Sequence, residues 1–303
     1  MSENPAPFRC GYAAIIGRPN VGKSTLLNRI LGQKIAITSP RPQTTRHKII
    51  GIKTEADGQA IYVDTPGIHR GGKRAINRYM NKAARSTVAE VNVVVLVVDA
   101  TRWTDEDDSI LQGLASQPAP VIVAVNKVDM LADKETLLPY IKTLAEKFNF
   151  AAIVPLSARK GDNLERLEAE VLARLPEGAA LFPEDQVTDR SQRFIAAELI
   201  REKLMRRLGE ELPYAITVEI EKFAVEGGLF RIHAVIWVEK DSQKAIVIGK
   251  GGAMLKEIGQ HAREDMEKIF EAKVFLETWV RVKEGWSEDE RLLRKLGYDD
   301  REL

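Results

Sequence analysis

The sequence contains one cysteine, four histidines and no long apolar run, and each shortage excludes a class of protein. Cys10 has no second cysteine to pair with, so no intrachain disulfide can form, as is typical of a cytoplasmic protein. No two histidines have the spacing of metal ligands, which argues against a zinc site. The longest apolar run, VVVLVV at 93–98, suits one buried strand and is far shorter than the ~18 residues of a membrane span. The opening residues MSENPAPFRC lack the apolar segment of a secretory signal.

An excess of charge of one sign is also absent, because the net charge of the chain is +1. Residues 1–183 hold 24 Lys and Arg against 19 Asp and Glu, whereas residues 184–303 hold 21 against 25. Overall basicity therefore cannot support a nucleic-acid function of the second half, which would need a local basic patch. The 303 residues, 44% of them apolar, are enough for two domains with separate cores.

Short apolar segments alternate with helical ones over the first 180 residues. Asp57-Gly58 separates two of these segments and is a strong hairpin signal. Strands that alternate with helices predict an α/β fold with a mainly parallel six-stranded sheet, helices on both faces and one antiparallel hairpin strand. The segments rich in β-branched residues are 13–17, 47–54, 59–65, 91–100, 121–127 and 151–158.

The order of elements changes after a segment rich in Pro, Gly and acidic residues at 175–189. Beyond it the pattern predicts an α+β domain in the order α-β-β-α-α-β. We predict a first domain over 1–180, a linker over 181–189, a second domain over 190–285 and a tail over 286–303. The tail is helical and rich in charge, which favours a solvated terminal helix over a contact with a partner.

The segment GRPNVGKS, at 17–24, matches the phosphate-binding pattern G-x-x-x-x-G-K-[ST]. A predicted strand precedes it and a helix follows, so backbone N–H groups and the positive end of the helix dipole would surround phosphate oxygens. Lys23 can reach the β and γ phosphates, and Ser24 can bind Mg²⁺. The nucleotide-binding residues of this loop are predicted to be Gly17, Arg18, Pro19, Asn20, Val21, Gly22, Lys23 and Ser24.

Three later segments, each at the carboxyl end of a predicted strand, complete a nucleotide site. In DTPG, Asp64 can hold Mg²⁺ through water, and the N–H of Gly67 can contact a γ-phosphate. In NKVD, Asp129 can accept two hydrogen bonds from guanine, which adenine cannot offer. The backbone of SAR, which begins at Ser157, can contact guanine O6. The nucleotide-binding residues predicted here are Asp64, Thr65, Pro66, Gly67, Ile68, Asn126, Lys127, Val128, Asp129, Ser157 and Ala158.

These motifs, in this order, resemble those of the translation-factor-like small GTPases. The segment QTTR, at 43–46, resembles switch I of the Era GTPases. The resemblance implies a Mg²⁺-dependent GTPase whose metal is bound by Ser24, Thr45 and Asp64. Thr44 is the alternative to Thr45 as the switch I ligand.

The resemblance also bears on the rate of hydrolysis. Ile68 stands where Ras-like GTPases have a glutamine that orients the attacking water, and isoleucine cannot form that hydrogen bond. We therefore expect slow hydrolysis. In related GTPases an asparagine at the position of Asn20 helps to hold K⁺ beside the phosphates; a loop-shaping role is the alternative. The residues assigned to the reaction are Lys23, Thr45, Gly67 and Asn20.

The segment GKGG, at 249–252, cannot be a second phosphate loop, because no Ser or Thr follows it and a helix precedes it. It matches the GXXG loop of a KH domain, which clamps single-stranded RNA; a helix–helix turn is the alternative. Four lysines against one acidic residue, Asp241, lie within 240–256 and form the required basic patch. The RNA-binding residues are predicted to be Lys244, Gly249, Lys250, Gly251, Gly252 and Lys256.

The element order of the second half is that of a type II KH domain, and the whole chain from about residue 9 to 285 resembles the Era family. The resemblance implies binding of GTP and GDP and of the 3′ region of 16S rRNA, and a role in assembly of the small ribosomal subunit. It also implies a weak peripheral association with the cytoplasmic face of the inner membrane. We expect a monomer. The alternatives are a GTPase of another pathway, such as transfer-RNA modification, and an RNA-binding protein whose GTP site is only structural.

Overall fold

The structure, a computed structural model, describes residues 7–67, 75–209, 212–296 and 298. The first sheet consists of β1 (Arg9–Ile16), β2 (Ile49–Glu55), β3 (Gly58–Asp64), β4 (Val93–Asp99), β5 (Val121–Asn126) and β6 (Ala152–Pro155). Its helices are α1 (Lys23–Leu31), α2 (Ala75–Ala89), α3 (Asp105–Gly113), α4 (Leu137–Lys147) and α5 (Leu164–Leu172). The second half contains α6 (Gln192–Arg207), β7 (Thr217–Glu226), β8 (Leu229–Val238), α7 (Asp241–Ile248), α8 (Ala253–Phe270), β9 (Lys273–Val282) and α9 (Glu290–Lys295).

The first sheet has the strand order β2-β3-β1-β4-β5-β6. All neighbours are parallel except β2 and β3, which form the hairpin predicted from Asp57-Gly58. Every residue of β4 is buried, because apolar clusters that include helix residues cover both faces of the sheet. The predicted α/β fold is confirmed. The carboxyl ends of the parallel strands lie along one edge, which therefore gathers the loops that carry the motifs.

The second sheet has the order β7-β8-β9, with β7 antiparallel and β9 parallel to the central strand. Residues of α6 and α8 pack on one face, in a cluster that includes Leu199, Ile232, Ile258 and Val280. The sequence α6-β7-β8-α7-α8-β9 confirms the predicted type II KH arrangement. No helix in the described ranges is long and apolar enough to cross a membrane.

The predicted linker packs along the edge of the first sheet. The N–H of Ile52 donates to the carbonyl of Val187 at 2.8 Å, and the Thr188 hydroxyl donates to the carbonyl of Ile50 at 2.7 Å. These bonds cover the outer side of β2, which would otherwise present unpaired backbone groups.

The segment that follows β9 is packed, so the prediction of a solvated terminal helix is wrong for its described residues. Trp286 is fully buried, and its indole N–H donates to the carbonyl of Ala215 at 3.0 Å. Leu293 and Tyr298 are buried against α2 of the first domain. The Tyr298 ring stacks on His47, with ring centroids 4.4 Å apart. The segment is rich in charged residues, and this composition gave no sign of the few apolar side chains that contact the first domain.

Candidate nucleotide site and RNA loop

The phosphate-binding loop joins β1 to α1 and depends on glycine at two points. Gly17 and Gly22 have φ angles of +151° and +102°, which favour glycine. A Cβ atom on Gly22 would lie 2.3 Å from Nδ2 of Asn126, so no larger residue fits there. The Lys23 ammonium donates to the carbonyls of Gly17 and Arg18 at 2.9 and 3.0 Å, and burial lowers the pKa of Lys23 to about 8. The loop thus folds around the ammonium group predicted to reach the phosphates.

Three oxygen-bearing side chains meet beside this loop. The Ser24 hydroxyl donates to Oδ2 of Asp64 at 2.6 Å, and the Thr45 hydroxyl lies 2.7 Å from Ser24 Oγ and 3.2 Å from Asp64 Oδ2. Asp64 is fully buried, and its Oδ1 atom has no hydrogen-bond partner among the described residues. Burial raises the pKa of the Asp64 carboxyl, although the nearby Lys23 opposes this effect.

This arrangement fits Mg²⁺. Hydroxyl and carboxylate oxygens are ligands that Mg²⁺ prefers, and a cation would compensate the buried carboxylate of Asp64. The described ranges contain no group of three or more His, Cys, Asp or Glu that could hold a metal. An ion at this position would therefore depend on few protein ligands together with water and nucleotide phosphates, which is usual for Mg²⁺.

The structure separates the two threonines of QTTR. The Thr44 hydroxyl donates to the carbonyl of Arg41 at 2.7 Å and lies 3.0 Å from Ser39 Oγ. Thr45, by contrast, is buried beside Ser24 and Asp64. The geometry therefore favours Thr45 over Thr44 as the Mg²⁺ ligand.

The DTPG segment continues from Asp64 towards the phosphate-binding loop. The Thr65 hydroxyl donates to the carbonyl of Ile15 at 3.1 Å. A Cβ on Gly67 would lie 3.0 Å from Cγ of Pro19, so Pro66 and Gly67 lead the backbone to close contact with the loop. Ile68, the predicted substitute for the catalytic glutamine, lies outside the described residues.

Asn20 connects the phosphate-binding loop to residues 38–48, which contain QTTR and have no helix or strand. We call residues 38–48 the switch loop. The Asn20 amide donates to the carbonyl of Pro40 at 2.7 Å, and its φ angle is +64°. This contact fits the loop-shaping role. Its role towards K⁺ stays a prediction.

The segments predicted to hold the base meet around Asn126, which is 2% exposed. Its Nδ2 donates to the carbonyl of Val21 at 2.7 Å, and its Oδ1 accepts from the N–H of Ala158 at 2.9 Å. The Ser157 hydroxyl donates to Oδ1 of Asp129 at 2.7 Å. Asn126 thus braces NKVD and SAR against the phosphate-binding loop. Val128 lies between Asn126 and Asp129, the two hydrogen-bonded ends of NKVD.

Two carboxylates near the site, Asp107 and Asp99, were not predicted from the sequence. Nε of Arg18 donates to Asp107 at 3.1 Å, so this side chain is turned away and only its backbone lines the loop. The Lys127 ammonium donates to Asp99 at 2.7 Å. Although burial opposes it, hydrogen bonds from Lys127 and Thr101 hold the pKa of Asp99 below its usual range. The position of Asp99 at the carboxyl end of β4 was a signal that could have identified it.

The GKGG loop lies between α7 and α8, with φ angles of +72°, +59° and +79° at Gly249, Gly251 and Gly252. A Cβ atom would meet no atom within 4 Å at Gly251 or Gly252, so that side of the loop is open. The side chains of Lys250 and Lys256 are exposed and Lys244 is half-buried. None of these lysines forms an ion pair with a described residue.

Ile246 adds an apolar surface that the sequence did not predict. The residue is 52% exposed one turn before the GKGG loop. An exposed apolar side chain beside unpaired lysines is suited to nucleobases next to phosphates.

Comparisons with known proteins agree with both halves of the molecule. A family model described as a 50S ribosome-binding GTPase matches residues 12–127, and a KH domain model matches residues 211–287. The GTPase Era of Pseudomonas putida strain W619 is 59% identical over 300 residues, which cover 99% of this chain and 100% of that protein. The GTPase Era of Ectopseudomonas mendocina is 60% identical over the same length.

Two solved structures are similar over nearly the whole chain. One is a single-residue variant of Aquifex aeolicus Era bound to GDP·AlF₄⁻, and the other is Era in complex with MgGDPNP and nucleotides 1506–1542 of 16S ribosomal RNA. Each has a TM-score of 0.93 and 40% identity, and each match covers 96% of this chain and 99% of the other. This chain therefore belongs to the Era family of GTPases.

Proposed function

We propose that the protein binds GTP with Mg²⁺, hydrolyses it slowly to GDP and phosphate, and uses this reaction to control an RNA clamp in assembly of the small ribosomal subunit. The observation that carries the proposal is the meeting of Ser24, Thr45 and Asp64 beside the phosphate-binding loop. Thr45 lies in the switch loop, which is also hydrogen-bonded to the second domain. Nucleotide state and RNA binding then depend on the same segment.

Each motif has a role in this cycle. Backbone N–H groups of 17–24 surround the phosphates, and Lys23 balances their charge. Mg²⁺, when bound to Ser24, Thr45 and Asp64, neutralises charge that develops on the phosphates. Asp129 selects guanine, and the backbone of Gly67 contacts the γ-phosphate. The remaining predicted residues shape the loops in which these groups lie.

The reaction is slow because Ile68 cannot orient the attacking water. The expected turnover is on the order of the unassisted Ras rate or a few tens of times faster, about 10⁻⁴ to 10⁻² s⁻¹. A second cation near Asn20 would add positive charge beside the phosphates.

We expect K⁺ to raise GTP turnover relative to Na⁺, because Asn20 would help to hold the larger cation beside the phosphates. Turnover is measured at equal ionic strength in the two salts, for the unmodified protein and for Asn20→Ala. Equal rates in K⁺ and Na⁺ would eliminate the cation role and leave Asn20 as a loop-shaping residue only.

The RNA clamp consists of the GKGG loop with Lys244 and Lys256, and its substrate is the single-stranded 3′ region of 16S rRNA. The open backbone at Gly251 and Gly252 lets phosphates approach closely, and the unpaired lysines attract them. The solved complex of Era with nucleotides 1506–1542 supports this choice of RNA. Competition with transfer RNA distinguishes the proposal from a GTPase of another pathway.

The full chain is expected to bind the 3′ tail of 16S rRNA at least about tenfold more tightly than a scrambled RNA at fixed salt. The double variant Lys250→Asp, Gly251→Asp should lose this preference, because two carboxylates would face the phosphates. Lys268→Asp is the matched control, since Lys268 is exposed on α8 far from the loop. A preference that survives the loop variant would place the RNA elsewhere on the molecule.

The same binding measurement, repeated with a GTP analogue, with GDP and without nucleotide, tests the coupling. RNA affinity is expected to differ among these three nucleotide states, because the switch loop that would contact Mg²⁺ and GTP is hydrogen-bonded to the second domain. Identical affinities in all three states would mean that the two sites are independent.

The division of labour follows the predicted domains: residues 1–180 bind GTP, 181–189 form the linker, and 190–285 bind RNA. The protein acts as a monomer in the cytoplasm, with a weak peripheral association with the cytoplasmic face of the inner membrane that the family resemblance implies. The packed segment after residue 285 contacts both domains, and its Tyr298 stacks on His47 of the switch loop.

A further inference from the structure

The switch loop has no hydrogen-bonded ladder of its own to fix Thr45 beside Ser24 and Asp64. It lacks helix and strand over all of residues 38–48. The loop must therefore take its shape from side-chain contacts, because an irregular segment loses conformational entropy when it is ordered and needs compensating bonds.

Many of these contacts come from the second domain. Besides the bond that Arg190 donates to the Lys48 carbonyl, hydrogen bonds between described residues join the switch loop to this domain at four places. The bonds are Thr38 N–H to Glu202 Oε1 at 3.0 Å, Arg41 Nη1 to the Gly209 carbonyl at 2.6 Å, Arg201 Nη2 to the Thr44 carbonyl at 2.5 Å, and Arg46 Nη1 to the Ile216 carbonyl at 2.8 Å.

Both neighbours of Thr45 are thus held from outside its own domain. The Thr44 carbonyl accepts from Arg201, and the Arg46 side chain donates to the backbone after α6. The peptide that joins Thr44 to Thr45 is planar, so fixing the Thr44 carbonyl also fixes the direction in which Thr45 leaves it. Arg201 therefore acts on the orientation of the Thr45 hydroxyl without touching it.

Arg201 is well suited to this role because it is rigid. The residue is 1% exposed and its side chain forms two hydrogen bonds with Glu198, from Nε at 2.7 Å and from Nη2 at 2.6 Å. Nη1 contacts Sδ of Met205 at 3.3 Å. A planar guanidinium held by a carboxylate keeps a fixed direction, and a charged donor in a dry environment makes a strong bond to a carbonyl.

We propose that Arg201, in the RNA-binding domain, is a positioning residue for the Mg²⁺–GTP site. It holds the Thr44 carbonyl so that the Thr45 hydroxyl faces Ser24 and Asp64, and the second domain thereby completes the site for a magnesium–nucleoside triphosphate. The inference rests on the proposed function, since it takes Thr45 as a ligand of Mg²⁺. GDP, which has no γ-phosphate to order the switch loop with Mg²⁺, should need Arg201 much less.

The test compares GTP-analogue and GDP affinity in the full chain. Arg201→Met alone would leave Glu198 as a buried unpaired charge, which destabilises the fold. The informative variant is therefore the double change Glu198→Leu, Arg201→Met, with Arg201→Lys as the conservative change. The double variant should bind a GTP analogue about tenfold more weakly at limiting Mg²⁺ but bind GDP within about twofold of the unmodified protein, a coupling of the size usual between linked sites.

Two features distinguish positioning from a merely structural role. Raising the Mg²⁺ concentration should recover much of the lost GTP-analogue affinity, and Arg201→Lys should recover part of it because an ammonium can still donate to the Thr44 carbonyl. The control is Glu221→Leu, Arg281→Met, which removes an exposed ion pair of 2.6 Å between β7 and β9 of the same domain. That variant should match the unmodified protein for both nucleotides.

Equal weakening of GDP and GTP-analogue binding, or no change in either, would overturn the proposal. These results differ from failure of the proposed function, in which the unmodified protein itself would fail to bind and hydrolyse GTP.

Discussion

Replacing Asp129 by asparagine should change the preferred nucleotide from GTP to xanthosine triphosphate. In the proposed site the Asp129 carboxylate would accept hydrogen bonds from the N1–H and N2 amino groups of guanine, whereas an asparagine amide presents a donor in place of one acceptor. Xanthine has an oxygen where guanine has the amino group and can accept that donor. Because an unpaired buried polar group is costly, we expect GTP affinity to fall about 10³-fold or more. Competitive binding and turnover with both nucleotides measure the change.

The local structure should tolerate this substitution. Asp129 receives the Ser157 hydroxyl on Oδ1, and asparagine retains an oxygen that can accept the same bond. Asp133→Asn is the matched control, because this substitution removes the same charge from an exposed residue just after NKVD. If Asp129→Asn keeps the original preference for GTP, the base is not bound at NKVD.

Asp64→Asn should abolish most Mg²⁺-dependent turnover and yet stabilise the nucleotide-free protein. A bound cation supplies several kcal/mol of charge stabilisation in the transition state, so loss of its carboxylate should lower GTP turnover by about 10²-fold or more. Without a cation, the same carboxylate is buried and its pKa is raised by that burial. A raised pKa means that the folded state disfavours the ionised carboxylate. Ionised Asp64 therefore lowers the free energy of unfolding at pH values above the usual pKa of the carboxyl, and a neutral amide removes this cost.

Thermal unfolding without nucleotide or Mg²⁺ measures the second effect. We expect the melting temperature of Asp64→Asn to rise by about 2–4 °C, which corresponds to about 1 kcal/mol in a protein of this size. Asp57→Asn is the control, because Asp57 is exposed in the hairpin turn and Asn-Gly suits that turn equally well. A variant with unchanged turnover would show that Asp64 does not hold the catalytic metal.

Several features of the site were predictable because they depend on short stretches of chain. GRPNVGKS follows one strand and precedes one helix, so its glycines and Lys23 can only form a compact loop at the carboxyl edge of the sheet. DTPG and NKVD end parallel strands and must reach the same edge. The type II KH order could also be read from periodicity and from the glycine loop at 249–252.

Other features depend on contacts that no local pattern encodes. Ile246 belongs to the apolar segment IVI, yet it is exposed because its helix turns the neighbouring Val247 into the core. The tail is rich in charge, but Trp286 and Tyr298 are buried by the approach of α2 and the switch loop. Arg18 sits in the phosphate-binding motif, and only the position of α3 turns its side chain towards Asp107.

The sequence by itself therefore determined the two folds, the nucleotide motifs and the RNA loop, because hydrophobic period, glycine placement and strand order act over a few residues at a time. Only the tertiary structure decided that Arg201 holds the carbonyl of Thr44, 157 positions earlier in the chain, and that Thr45 faces Ser24 and Asp64. Such contacts arise from how two separately folded domains pack, and packing depends on the shape and charge of whole surfaces that a one-dimensional pattern does not contain.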